Sequence, residues 1–187
     1  MLSIPVYRGK NGISLVRMRP EHVMWLKLKE PELTYERDMP DMRKYITETA
    51  DYNRSWSATD RGKVFLCFGI RPAWTGVGEA WLLPGHNISN HAISVIRYAR
   101  NLFTELLENG EYARIHIAVR ADNDIALKFA KALGFEVEGV MRNFGPDGVD
   151  SYMMARISDH GSSKKSVEPV PGSTPSTTTS ANPNSAS

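Results

Sequence analysis

Cysteine is nearly absent from this chain: its 187 residues include one, Cys67. An intrachain disulfide and a cysteine-rich zinc site are both excluded. Cys67 lies in the apolar run Val64-Phe65-Leu66-Cys67-Phe68 and reads as a small core residue, not a nucleophile. An excess of one charge is also lacking. Lys and Arg number 23 against 21 Asp and Glu, a formal +2, which requires neither a nucleic acid nor an anionic membrane as partner. No apolar run approaches the ~20 residues of a membrane-crossing helix. The start, Met1-Leu2-Ser3-Ile4-Pro5, lacks the basic residues and apolar run of a secretory signal, so a cytoplasmic location is expected. Residues 158–187 contain no Phe, Tyr or Trp and are rich in Ser, Thr and Pro. Such a segment cannot bury enough apolar surface to offset its ordering entropy, and a disordered tail is expected after a single domain over 1–157.

What is present within 1–157 alternates between strand and helix signals. Apolar content of 41% suffices for a core. Ile13 to Met18 has a strand's period of two. Pro20 suits the first turn of a helix continued by Val23, Met24, Leu26 and Leu28 and ended by Pro31. A second helix is expected from about Met39 to Asp51. Ser55 to Ala58 and Lys63 to Ile70 read as a hairpin around Asp60-Arg61-Gly62, and Gly76 to Leu83 as another strand. Ala92, Val95, Ile96, Ala99, Leu102, Phe103, Leu106 and Leu107 mark a helix capped by Ser89 or Asn90, with Gly110 past its end. Ala113 to Val119 alternates as a strand. Asn123 to Leu133 is a short helix stopped by Gly134, and a closing hairpin turns around Gly145-Pro146-Asp147-Gly148. Strands and helices in this order pack as a mixed sheet with helices on both faces.

The segment from Asn123 to Phe135 resembles the motif of the GNAT N-acetyltransferase superfamily that reads Asn, two residues, Ala, two residues, an apolar residue, Tyr and then Gly-Phe. Its continuation, Glu136 to Arg142 and Asp147 to Asp150, is similar to the branch that acetylates protein N-termini and ribosomal proteins. The resemblance implies an α/β GNAT-like acyl-CoA N-acyltransferase fold with a six- to seven-stranded mixed sheet. It implies acetyl-CoA as donor, no metal, and an amine of a protein or small molecule as acceptor. It also implies a splay between the strands at 78–83 and 114–119, where a pantetheine arm pairs with exposed backbone groups. Asn123 would bond that arm, although a plain helix cap explains Asn123 equally. Leu82, Leu83, Gly85, His86, Asn87, Ile88, Ser89, Asn90 and Phe129 complete the implied donor site, with a backbone N–H of Leu82 or Leu83 toward the oxyanion.

Two positions depart from the family pattern. The glycine-rich loop that cradles the pyrophosphate is here Pro84-Gly85-His86-Asn87-Ile88-Ser89-Asn90, with one glycine. A helix N-terminus still favours an anion, but bulkier residues restrict close backbone approach. Position 130, a tyrosine in many members, is Ala130 and has no proton to donate. Glu79 is the candidate general base, against a plain strand residue facing solvent, and Tyr152 the spare candidate acid, against a tyrosine packed at a rim.

Gly69 to Pro84, with Trp74 and Trp81, resembles a phage subset of the fold that includes an internal virion protein of short-tailed phages. That resemblance implies a catalytically silent virion, morphogenesis or host-interaction component, whereas ordinary packing explains both tryptophans without it. A homodimer is implied by the wider family. Arg97, Arg100, Arg114 and Arg120 are too scattered to argue for nucleic acid.

Overall fold

A computed structural model describes residues 7–8, 12–145 and 147–158. The tail expected over 158–187 lies outside the described residues except for Ser158, which is buried and donates its N–H to the Ala113 carbonyl at 2.9 Å.

Among the described residues eight strands form one sheet. They are β1 (Tyr7–Arg8), β2 (Ile13–Arg17), β3 (Ser55–Asp60), β4 (Lys63–Trp74), β5 (Val77–Pro84), β6 (Arg114–Arg120), β7 (Glu136–Met141) and β8 (Ser151–Ile157). Their spatial order is β1-β2-β3-β4-β5-β6-β8-β7. β5 and β6 are parallel and the other neighbours antiparallel. Seven strands match the expected number, and the eighth is the two-residue β1 at the edge. The β3–β4 hairpin turns at Arg61 and Gly62, both with positive φ (47° and 81°), as a two-residue turn matching the strand twist requires.

Among the described residues five α-helices pack around the sheet: α1 (Pro20–Trp25), α2 (Glu32–Asp38), α3 (Met42–Thr49), α4 (Ala92–Glu108) and α5 (Asp124–Ala132). α4 and α5 pack over one face, where Leu66, Ile70, Val95, Phe103, Leu106 and Ile115 belong to the larger core. α1 and α3 cover the other, with a smaller core of Val23, Leu26, Leu28, Met42, Cys67 and Leu83. Cys67 is fully buried, 3.4 Å from the Ser57 hydroxyl, and burial pushes its thiol up to about 11. It is a core residue.

Three local expectations are corrected. The first helix stops at Trp25, not near Pro31. Leu26 turns extended, and Leu28 pairs with Gly85 as an isolated bridge, which places both leucines in the smaller core. Arg43 of α3 holds that early end, its guanidinium donating to the carbonyls of Val23, Met24 and Leu26 and pairing with Glu36 of α2. Second, Pro31 opens a helix as well as following one. It is the N-cap of α2, whose first turn carries Glu32, and α3 then begins at Met42, not Met39. Third, neither Ser89 nor Asn90 caps α4. Both sit in the 3-10 turn Ile88–His91, His91 is the N-cap, and no side chain caps it. By contrast Gly110 and Gly134, with φ of 75° and 90°, stop α4 and α5 as left-handed C-terminal glycines do.

Candidate functional site

β5 and β6 pair through three residues: Val77 with Arg114, Gly78 with Ile115 and Glu79 with His116. Beyond Glu79 and His116 they separate. β5 remains bonded to β4 as far as Pro84, and β6 to β8 as far as Arg120. The gap follows from competing register: each strand keeps its antiparallel partner while sheet twist carries their far ends apart.

The exposed edge can be read from the ladder. Gly85 donates its N–H to the Phe65 carbonyl on β4, so Leu83 and Trp81, two and four residues earlier, also turn their backbone groups to β4. Leu82, between them, turns its N–H and C=O into the gap. On β6 the groups of Ala118 do the same, two residues past the last pairing at His116. Leu82, not Leu83, is therefore the β5 residue with a backbone donor available to a ligand past the end of the ladder.

A cleft of about 240 Å³ occupies this gap and passes through the sheet. Glu32, Tyr35 and Arg120 line it on the α2 side; Val95, Ala99 and Phe103 of α4, with Phe129 and Ala130 of α5, line it on the other. A second void of about 290 Å³ lies beside it, bounded by Lys29, Pro84, Ile88, Ser89, Ala92 and Ile125, and the two share Glu32, Leu82, Asn123, Ala126 and Phe129 as walls. Glu30, Asp122 and Asp124 stand with Arg120 at an open groove beside the gap, where Asp122 pairs with Arg120 and Glu30 with Arg37.

The α2 side of the cleft holds chemistry that was not anticipated. One carboxylate oxygen of Glu32 and the hydroxyl of Tyr35 are shielded from solvent and have no hydrogen-bond partner. Burial raises the Glu32 pKa above its ordinary value, outweighing the opposing bond from its own backbone N–H. The Arg120 guanidinium stacks 5.2 Å from the Tyr35 ring centroid, and its donors are taken by Asp122 and Asp147 at 2.6–2.9 Å. Its charge is thus balanced by two carboxylates at the mouth. Pro31 followed by Glu32 is a readable helix start, but nothing local in the sequence brings that turn to a gap between strands 50 and 90 residues away.

The residues expected from sequence divide. Leu82, Asn123 and Phe129 line both voids, and Ile88 and Ser89 line the second. Leu83, Gly85, His86, Asn87 and Asn90 line neither. Leu83 belongs to the smaller core. Gly85 is needed for packing, since a Cβ there would meet Leu26 Cδ1 and the Phe65 carbonyl, each at 2.9 Å. Asn123 is the N-cap of α5, its side-chain oxygen accepting from the Ala126 N–H at 2.9 Å. The loop does not form the open cradle of N–H groups expected for a pyrophosphate. Gly85 donates to Phe65, His86 to Lys27, Ile88 to Gly85 and Asn90 to Asn87.

Glu79 sits at the foot of the gap, not within the cleft. It shares the sheet face of Trp81 and Leu83 and lies 3.8 Å from the Arg71 guanidinium. Tyr152 is half-buried opposite Val119 and packs on the larger core without lining the cleft. Trp74 is exposed, whereas Trp81 lines the cleft with its indole N–H shielded and unpartnered. Among the described residues no group of three His, Cys, Asp or Glu side chains is placed to hold a metal, and no helix is long and apolar enough to cross a membrane.

No protein-family model and no curated protein matches this sequence. Solved structures do. RimL, a ribosomal L7/L12 alpha-N-protein acetyltransferase in complex with coenzyme A, superposes with a TM-score of 0.60 at 17% identity, covering 83% of this chain and 98% of its own. MccE, a microcin C7 self-immunity acetyltransferase in complex with acetyl-CoA and AMP, gives 0.62 at 16% identity, covering 79% and 93%. Ard1 from Thermoplasma volcanium gives 0.57 at 16% identity, covering 78% and 97%. At such identities the likeness is one of fold, and it agrees with the mixed sheet, the parted parallel pair and the helix opened by Asn123: this chain has the GNAT-type N-acetyltransferase fold.

Proposed function

We propose that this protein is an acyl-CoA-dependent N-acyltransferase in which a thioester donor and an amine acceptor meet inside the parted sheet. The observation that carries the reading is the cleft in the gap between β5 and β6, because it brings the free backbone edge at Leu82 and the Glu32 carboxylate to one space, where a thioester and an amine could be held together. The donor's arm would lie along the second void and pair with the backbone edge at Leu82, in the manner of an added strand. The fold's occurrence with coenzyme A and acetyl-CoA in RimL and MccE supports that choice of donor.

The acceptor enters from the α2 side. At the groove Asp122 is paired with Arg120 and Glu30 with Arg37, and the carboxylate of Asp124 adds a charge that would attract a cationic ammonium group. Its nitrogen must lose a proton before it attacks, and Glu32 is the base: its raised pKa brings its proton affinity closer to that of the group it serves. The amine lone pair then adds to the thioester carbonyl, whose oxygen takes the negative charge and accepts from the Leu82 N–H. The carbon–sulfur bond breaks, the sulfur leaves as thiolate, and the nitrogen gives up its second proton as the amide forms, which restores the proton that Tyr35 gives the thiolate. The Tyr35 hydroxyl can supply the proton that converts it to thiol, a role Ala130 cannot fill.

A second reading, a binding scaffold without turnover such as a virion or host-interaction component, draws on the loop N–H groups and the Asn123 oxygen already bonded within the chain. One experiment separates the two: a thermal titration with acetyl-CoA and desulfo-CoA, followed by a free-thiol assay with an amine peptide. The expected result is a rise in the unfolding midpoint with ligand, by mass action, and thiol release that depends on Glu32. A midpoint that stays still at millimolar ligand removes the transferase reading.

A further inference from the structure

We propose that the inner half of the cleft is an acyl-chain pocket, and that the preferred donor carries a linear chain of about four to six carbons. This rests on the acyl-transfer reading above and specifies the acyl group within it.

The cleft is divided by polarity. Glu32, Tyr35 and Arg120 occupy its α2 side; on the other side of the gap the walls come from α4, α5 and the apolar face of the sheet, among them Val95, Ala99, Phe103 and Phe135. No charged side chain lines this inner part. Four alanines, Ala80, Ala99, Ala126 and Ala130, stand where larger side chains would close it. The volume of about 240 Å³ far exceeds what two carbons fill. For scale, a dry apolar cavity of ~150 Å³ accommodates a six-carbon ring; the 240 Å³ includes the polar end, so the apolar part holds a chain of about four to six carbons. Protein interiors are otherwise packed with few voids larger than water, and an unfilled apolar space leaves its lining without contact partners. The polar end, meanwhile, is where an amine and a carboxylate base belong. A thioester held at Leu82 would thus point its chain into apolar walls and show its carbonyl to the acceptor.

Binding to the full chain, measured calorimetrically, tests the assignment with CoA, acetyl-CoA, hexanoyl-CoA, octanoyl-CoA and hexadecanoyl-CoA. Each fully buried methylene contributes ~0.8 kcal/mol, or about fourfold in Kd. Over the first few methylenes, with partial burial, hexanoyl-CoA is expected to bind at least tenfold tighter than acetyl-CoA, and hexadecanoyl-CoA no tighter than hexanoyl-CoA. Ala99→Leu narrows the inner end. It should shift the optimum to a shorter chain while its affinity for free CoA stays within threefold; Ala99→Val makes the same test more gently if the leucine variant does not fold. Acetyl-CoA binding as tightly as hexanoyl-CoA overturns the acyl pocket and leaves the transferase reading standing. So does an affinity that climbs through hexadecanoyl-CoA equally in the parent and the Ala99 variants, which marks adsorption to the surface. If neither CoA nor any ester binds, the donor reading falls and this one with it.

Discussion

Replacing Arg43 with methionine should lower the unfolding midpoint by roughly 6–16 °C and weaken acyl transfer without touching the cleft. Arg43 carries one of the few well-shielded cations, its side chain 16% exposed. Its guanidinium donates to the Val23 and Leu26 carbonyls, the latter at 3.1 Å, and more weakly to Met24 at 3.3 Å. These carbonyls belong to the C-terminal end of α1, where no helical partner remains. A hydrogen bond from a charged donor contributes ~1.5–3 kcal/mol. Taking the low end for the two stronger bonds gives about 3 kcal/mol. The ion pair to Glu36, whose side chain is 32% exposed, adds under ~1 kcal/mol. Methionine keeps much of the stem's packing, so the loss should be ~3–4 kcal/mol, and each kcal/mol moves the midpoint ~2–4 °C in a chain of this size. Because the same guanidinium links α1 to α2, Glu32 and Tyr35 should be less firmly placed. Calorimetry of Arg43→Met and Glu36→Gln, with a thiol-release assay, measures both consequences. Glu36→Gln alone should cost under ~1 kcal/mol. A midpoint within 2 °C of the parent in Arg43→Met would refute the argument, since water would then replace the guanidinium at those carbonyls without loss.

Glu32→Gln should lower turnover 10²- to 10⁴-fold, the range for loss of a general base, and remove the acidic limb of the rate–pH profile; a profile unchanged in shape would dismiss Glu32. The same variant should be more stable than the parent near neutrality. With the folded pKa raised by burial, the parent loses stability as pH rises from the ordinary glutamate range through the folded value, and glutamine has no such loss; chemical unfolding at pH 4 and pH 7.5 reads the difference. Leu82→Pro should reduce acyl transfer by about 10²-fold or more, as loss of one oxyanion donor does, yet leave the β4–β5 ladder intact, because the N–H removed faces the gap; Pro84 already occupies the equivalent register two residues on. Circular dichroism should show the sheet retained, and full activity would show the oxyanion lies elsewhere. Glu79→Gln, by contrast, should change turnover less than threefold, given that Glu79 pairs with Arg71 at the foot of the gap; a loss as deep as that of Glu32→Gln would restore Glu79 as base.

Much of the fold was legible from residue order. The apolar stripe of α4, the asparagine before α5, the glycines after both helices and the period-two runs of the central strands are local signals. They rest on helix and strand periodicity and on backbone conformations that favour glycine. Apart from the cap of α4, the errors in the elements fell on the connection from Trp25 to Met42. There Pro31 reads as a stop, and α2 carries no buried residue, so its pattern lacks the apolar stripe that marks a helix in sequence. The candidate site suffered most from this, since Glu32 and Tyr35 come from that segment. Gly85 read as part of a phosphate loop because glycine looks the same whether a ligand or a neighbouring leucine requires the space.

By itself the sequence determined the succession of elements, the absence of disulfides and the motif from Asn123 to Phe135 that pointed to the acyltransferase fold. These follow from interactions within a few residues of one another. Only the tertiary structure decided where β5 and β6 part, that Leu82 turns its backbone into the gap while Leu83 does not, and that Glu32 faces that gap in place of Glu79. Those depend on register and on packing between segments far apart in the chain, where a shift of one residue sends every side chain to the opposite face.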